Sequence, residues 1–133
     1  MKRKISCLCF FLCVCFIFYN SSLPAIESSE VSEGLTYKLY ELLNLNLDFH
    51  TFHVFIRKLA HFTEYFGLGL FAFYAFKDYK IALILCVLVA CFDETIQLFV
   101  VGRSGQISDV LLDSFGSSSC ILLNLGVRKW LKR

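Results

Sequence analysis

The chain has 133 residues, of which 57% are hydrophobic and 18% charged, with a single proline. Soluble domains contain about 45 to 50% apolar residues and about a quarter charged residues, whereas the apolar residues here come in blocks of about 18, close to the length of a membrane span. The aromatic content of 17% excludes disorder, and the net charge of +2 is too small to indicate a nucleic-acid partner. The composition therefore indicates a membrane protein.

All seven cysteines lie inside the apolar blocks, and none lies in the polar segment 24–58. A secreted disulfide framework would place them in loops. The cysteines form no C-x-x-C pair and no Cys/His set at zinc spacing. We interpret them as small apolar packing residues.

The first apolar block covers residues 5–19 and follows a basic start. It is either a signal peptide or an uncleaved membrane span. Cleavage after Ala25 would place Leu23 at the −3 position, where signal peptidase prefers a small residue. Extending the block to Leu23 also gives a length close to a full span. We therefore favour the uncleaved span.

Three further apolar blocks cover residues 60–76, 81–101 and 110–127. Each must be helical in hydrocarbon, because no other single segment satisfies its own backbone polar groups. The predicted fold is an all-α integral membrane protein with four spanning helices. Placing the N-terminus in the cytoplasm puts nine of the thirteen basic residues inside, so the positive-inside rule predicts N-in and C-in. These nine are Lys2, Arg3, Lys4, Lys77, Lys80, Arg128, Lys129, Lys132 and Arg133.

The long outside segment, 24–58, contains a helical pattern of apolar residues. Val31, Leu35, Leu39 and Leu42 recur at intervals of four, four and three, as on one face of a helix. This amphipathic helix lies either on the outer leaflet or over the helical bundle. The sequence leaves both arrangements open.

Polar residues collect at the outer ends of the last three spans. His61, Glu64 and Tyr65 fall within about 100° of arc on one helix, and ionisable residues inside a span are functional candidates because they are costly to bury. The alternative is a hydrogen-bond network that only holds the helices together. We predict one polar pocket in the outer half of the membrane, formed with Asp93, Glu94 and Gln97 of the next span and with Arg103, Asp109 and Asp113.

A metal site is not predicted. His50 and His53 could join His61, but the first two lie in a loop among phenylalanines. No nucleotide-binding or hydrolase fingerprint is present. We expect neither a metal nor a cofactor.

Three motifs stand in combination: K-x-x-H-F-x-E-Y at residues 58–65, D-E-x-x-Q at 93–97 and G-R-x-x-x-x-x-D at 102–109. Together they resemble the VanZ-like family of small bacterial membrane proteins, over about residues 28–127. Asp113 departs from the pattern, where asparagine is more frequent. The resemblance divides the chain into an N-terminal helix or signal anchor (1–27), a VanZ-like membrane domain (28–127) and a basic cytoplasmic tail (128–133).

This resemblance implies a multi-pass protein of the bacterial cytoplasmic membrane. The founding member of the family raises resistance to the glycopeptide antibiotic teicoplanin, so the resemblance also implies a link to the cell envelope. It does not imply a molecular mechanism.

Two classes of function follow. In the first, the pocket binds or modifies a lipid-linked envelope precursor or a lipoglycopeptide. In the second, the protein is a non-enzymatic scaffold or regulatory partner of an envelope enzyme, or a small proton-coupled carrier. For any chemistry we propose His61, Glu64, Asp93 and Glu94 as acid/base groups, and for ligand binding Arg57, Lys58, Tyr65, Gln97, Arg103, Asp109 and Asp113.

The orientation can be tested with fused reporters. We expect a reporter after Lys80 to read cytoplasmic and one after Gly105 to read external, because nine basic residues against four favour that topology. An external signal after Lys80 would refute the N-in assignment.

Overall fold

The computed structural model describes residues 3–44 and 46–131. This part of the chain is helical throughout, as predicted, and contains no strand. It has five helices: one for each of the four predicted spans and one in the outside segment, where the apolar periodicity predicts a helix. The terminal basic residues Lys2, Lys132 and Arg133, which enter the charge count, lie outside the described residues. The helices are α1 (Arg3–Ser22), α2 (Ala25–Leu43), α3 (Phe49–Ala75), α4 (Tyr79–Leu98) and α5 (Ile107–Trp130).

Aspartates begin two of the helices. Asp48 precedes α3 and its Oδ2 accepts a hydrogen bond from the backbone N–H of Thr51 at 3.0 Å. Asp78 precedes α4 and accepts from the N–H of Lys80 at 2.8 Å. Each carboxylate satisfies one of the N–H groups that the first helical turn leaves without a partner. The short link from Phe76 to Asp78 therefore ends α3 and starts α4 within a few residues.

Helices α1, α3, α4 and α5 alternate in direction, so the bundle has two distinct ends. At one end, Arg3 Nε donates to the carbonyl of Ala75 at 3.1 Å, and the Arg128 guanidinium lies 4.1 Å from the ring centre of Phe73. We call this the basic end. The other, which we call the polar end, contains the C-termini of α1 and α4 and the N-terminus of α5. The predicted outer pocket falls at the polar end.

Three helices are long and apolar enough to cross a membrane, namely α1, α4 and α5. Residues 60–75 of the predicted span lie in α3 and Phe76 follows its last residue; α3 is not among the three. Helix α3 is nevertheless the central helix, since it contacts all four others. With 27 residues it is about 40 Å long at 1.5 Å per residue. A fourth span within α3 remains a prediction.

Helices α3 and α5 approach each other closely at Gly69. A Cβ atom at this position would lie 2.5 Å from the carbonyl oxygen of Ser117 and 2.9 Å from its Cα. Both are backbone atoms, so neither can move aside as a flexible side chain would. Small residues allow this kind of approach between membrane helices, where van der Waals contact stabilises association. Gly69 therefore sets the spacing between α3 and α5.

Helix α2 packs on the first half of α3 through its polar face. Thr36 is fully buried, and Ser32 Oγ lies 2.9 Å from His53 Nε2. By contrast, Leu35 and Leu42 of the predicted apolar face are 61% and 80% exposed. The side chain of Val31 lies outside the described residues. Helix α2 thus packs over the bundle through its polar face, and these leucines of its apolar face remain exposed.

The close contact at Gly69 predicts a large effect of a single methyl group. We expect Gly69→Ala to destabilise the folded protein by about 1 to 3 kcal/mol, because added atoms in a tight contact force the backbone apart. Gly67→Ala is the matched control two residues away, since a Cβ at Gly67 meets nothing within 4 Å. Thermal unfolding in detergent would compare the two. Equal stability of both variants would contradict the close contact.

Candidate functional site

The site begins with Arg103, which follows α4 and reaches across to the end of α1. Its Nε donates to the carbonyl of Leu23 at 3.0 Å and its Nη2 to the carbonyl of Asn20 at 2.9 Å. The last carbonyls of a helix have no partner within that helix, so the guanidinium closes the C-terminus of α1. No ion pair of Arg103 with Asp109 or Glu94 is found among the described residues. The carbonyl oxygens at the end of α1 occupy its donors instead.

The turn before Arg103 depends on a glycine. Gly102 has a φ of +77°, which L-residues with a side chain rarely adopt. The adjacent Val101 carbonyl accepts a hydrogen bond from the N–H of Ala25 at 3.2 Å. Burial, followed by the neighbouring positive charge of Arg57, lowers the pKa of Arg103, and the nearby acids Asp93 and Glu94 oppose that effect. The guanidinium stays protonated because its ordinary pKa is far above neutrality.

Asp109 pairs with Lys58 rather than with the arginine. Lys58 Nζ lies 2.9 Å from Asp109 Oδ1, and this ion pair links α3 to the first turn of α5. The side chains are 49% and 29% exposed. An exposed pair of this kind contributes up to about 1 kcal/mol. Its main effect is to hold the two helices in register at the polar end.

Glu94 holds the connection between α4 and α5. Its Oε2 accepts from the backbone N–H of Gln106 at 2.8 Å, and its Oε1 accepts from Gln97 Nε2 at 3.3 Å. Glu94 and Gln97 are buried, so both oxygens are engaged within the protein. This arrangement favours a structural function for both residues over the proposed acid/base and ligand-binding functions.

Helix α1 supplies two polar residues that sequence reasoning did not include in the pocket. Ser21 Oγ donates a short hydrogen bond to Asp93 Oδ1, and Asn20 Nδ2 donates to Glu64 Oε1 at 3.5 Å. Both residues follow the apolar block directly and had been assigned only to the end of the first span. Asn20 and Ser21 belong to no sequence motif that would indicate a functional site. Only the packing of α1 against α3 and α4 places them at the site.

Beneath these contacts lies a buried group of polar atoms from three helices. Tyr65, Asp93 and Asp113 are each 0% exposed. Ligand atoms of His61, Asp93 and Asp113 lie within 4.8 Å of one another. Among the described residues, the following atoms of this group are buried without a hydrogen-bond partner: His61 Nδ1, Tyr65 Oη, Asp93 Oδ2, Asp113 Oδ1 and Asp113 Oδ2.

Two cavities open at the polar end above this group. The larger has a volume of about 560 Å³ and lies between α1, α2 and α3; the smaller, of about 360 Å³, lies between α3 and the start of α5. Arg57, His61 and Arg103 line both. These three residues therefore connect the cavities.

The structure brings most of the predicted site residues to these cavities. Glu64 and Asp93 line the larger cavity, while Lys58, Gln97 and Asp109 line the smaller one. Tyr65, Glu94 and Asp113 line neither and lie buried behind them. The site thus consists of two open cavities and a buried polar group that meet at His61.

The fold and site define a class: a helical membrane protein with ionisable residues gathered at one end of the bundle. The sequence matches the VanZ/LLP1 family over residues 6–127, which is most of the chain, and the chain belongs to that family. The match includes α1 as well as the region that carries the three motifs. No curated protein and no solved structure matches the chain.

The contacts of Arg103 predict that lysine cannot replace it. We expect Arg103→Lys to reduce stability by about 1 to 3 kcal/mol, because an ammonium group cannot hold both carbonyls with the planar fork of a guanidinium. Thermal unfolding in detergent measures the loss. Arg57→Lys is the control, since no hydrogen bond of Arg57 is found among the described residues. Wild-type stability of the Arg103 variant would show that the helix end does not need the fork.

Proposed function

We propose that the protein binds an amphiphilic ligand of the cell envelope, with an anionic group, at the polar end of the bundle. The positive-inside orientation puts that end at the outer leaflet of the bacterial cytoplasmic membrane. The proposal rests on one observation about Arg57. This cation lines a cavity with both apolar and polar walls, and no acid is paired with it among the described residues.

The larger cavity has walls of two kinds. Phe16, Ile17, Leu23 and Leu35 form an apolar side, and Arg57, His61 and Glu64 form a polar side. Ligand sites in proteins are commonly apolar with a few polar groups that fix orientation. A lipid tail fits the first side and a charged head group the second.

The charge on the polar side favours an anion. Arg57 is half-buried and contributes to both cavities, whereas Lys58 is already paired with Asp109 and two donors of Arg103 bind α1. A guanidinium without a partner can bind a phosphate or carboxylate through two parallel hydrogen bonds. Arg57 is therefore the proposed anchor of the head group, and the α1 carbonyls hold Arg103 beside it.

The ligand class follows from the family. Resemblance to a family linked with teicoplanin resistance supports a lipid-linked envelope precursor or a lipoglycopeptide, both of which combine a lipid tail with polar groups. If the ligand is modified, Glu64 is the proposed general base, because it lines the larger cavity. Asp93 orients the site through Ser21. Glu94 is left out of this set because both its oxygens are engaged.

Mass spectrometry of lipids that copurify with the intact protein tests the proposal. We expect one class of anionic amphiphile to be enriched with the wild type and reduced at least about tenfold in Arg57→Gln, because a hydrogen bond to a charged group contributes about 1.5 to 3 kcal/mol. Lys129→Gln, at the basic end, is the charge-matched control. Equal lipid content in all three proteins would contradict the binding site.

The same membranes can separate a site from a scaffold. Where the wild type alters teicoplanin susceptibility, we expect Glu64→Gln to abolish that effect at unchanged abundance, since glutamine keeps the size but removes the charge and basicity. Ser118→Ala is the control. If Glu64→Gln keeps full resistance, a scaffold or regulatory partner is the better explanation, because glutamine can replace most of a hydrogen bond worth about 0.6 kcal/mol.

A further inference from the structure

The buried polar group at the polar end contains two carboxyl groups that are fully shielded from solvent, those of Asp93 and Asp113. Asp113 is 0% exposed, and neither of its carboxylate oxygens has a partner among the described residues. Asp93 is equally buried; its Oδ1 accepts from Ser21, and its carboxylate also interacts with the Tyr65 hydroxyl, so Asp113 is the carboxylate with no partner at either oxygen among the described residues. More than nine in ten buried polar groups in proteins have a partner. Asp93 and Asp113 therefore place carboxylate oxygens that can accept a further ligand close together in a buried position.

Two of the three cations that line the cavities bind other groups, and the third, Arg57, has no acid partner among the described residues. Arg103 donates to the carbonyls of Asn20 and Leu23, and Lys58 is paired with Asp109. Burying a carboxylate without a partner is costly, and proteins meet the cost with a paired cation, a bound metal or a proton. One ring nitrogen of His61 lies within 4.8 Å of the two carboxylates, and its Nδ1 is buried without a partner.

We propose that His61, Asp93 and Asp113 bind a divalent metal ion of the zinc type, with a fourth position open to the larger cavity. Their ligand atoms lie within 4.8 Å of one another. A tetrahedral zinc site with bonds of about 2.0 to 2.2 Å places its ligand atoms about 3.4 Å apart, so small side-chain rotations close the site. Three protein ligands with one free position are typical of zinc sites that accept water or a ligand.

The ligand set decides the class of metal. Calcium and magnesium take oxygen ligands almost exclusively, whereas an imidazole nitrogen with two carboxylates suits zinc and related transition metals. Ser21 donates to Asp93 Oδ1 and leaves Oδ2 for the ion, as an outer-shell residue orients a metal ligand. His61 and Asp93 line the larger cavity, so the ion and its fourth position are accessible from there.

This site differs from the one that the histidines alone suggested. His53 contacts Ser32 and stacks on Phe49 with ring centres 6.2 Å apart, and His50 is exposed. The three proposed ligands come instead from α3, α4 and α5. Their separation of 32 and 20 residues along the chain forms no local metal motif.

Zinc binding by the intact protein in detergent tests the inference without any lipid ligand, so it does not depend on the proposed function. After chelator treatment and its removal, zinc chloride is titrated calorimetrically and bound metal is counted by mass spectrometry. We expect one zinc per chain in the wild type. Asp113→Asn and His61→Gln should each raise the Kd at least about tenfold, and the surface variant Glu33→Gln should bind as the wild type does.

Circular dichroism and gel filtration confirm that each variant is folded, and having two independent ligand variants keeps the test decisive if one of them is not. A folded wild type that takes up no stoichiometric zinc would overturn the site. So would wild-type affinity in both ligand variants. Infrared spectroscopy gives a further check, because a protonated carboxyl group has its own band. A band that disappears in Asp113→Asn is assigned to Asp113. If that band persists in the wild type after zinc is added, a proton and not a metal neutralises Asp113.

Discussion

The end of α1 is the contact on which the polar end depends. A helix that stops near a membrane surface leaves its last carbonyls unpaired, and here the guanidinium of Arg103 binds two of them. That bond joins α1 to the connection that follows α4. One of the two arginines that line the cavities thus bonds to backbone oxygens instead of to carboxylates.

With α1 held there, Asn20 and Ser21 face the acids of α3 and α4. Ser21 binds Asp93 and Asn20 binds Glu64, so the first helix completes the wall of the larger cavity. On the far side, the close approach at Gly69 brings α5 against α3 and keeps Asp113 buried. The arrangement of the acids is thus a result of helix packing on both sides of α3.

Four of the acids at the polar end, all except Glu64, divide into two groups by their contacts. Glu94 and Asp109 are satisfied by Gln106 and Lys58 and hold the helices together. Asp93 and Asp113 retain oxygens without partners and face His61. The first group accounts for the structural alternative considered from the sequence. The second group is the basis of the proposed metal site. The unpaired Arg57 is the basis of the proposed binding of an anionic ligand in the cavity.

The sequence by itself determined the helical membrane class, the family and the clustering of ionisable residues, because these depend on the lengths of apolar blocks and on motifs of residues that are neighbours in the sequence. It could not determine which acid binds which base: Lys58 pairs with Asp109, whereas Arg103 binds carbonyls 80 and 83 residues away. Nor could it reveal the contributions of Asn20 and Ser21 or the grouping of His61 with Asp93 and Asp113. Those depend on the relative positions of separate helices, which only tertiary packing decides.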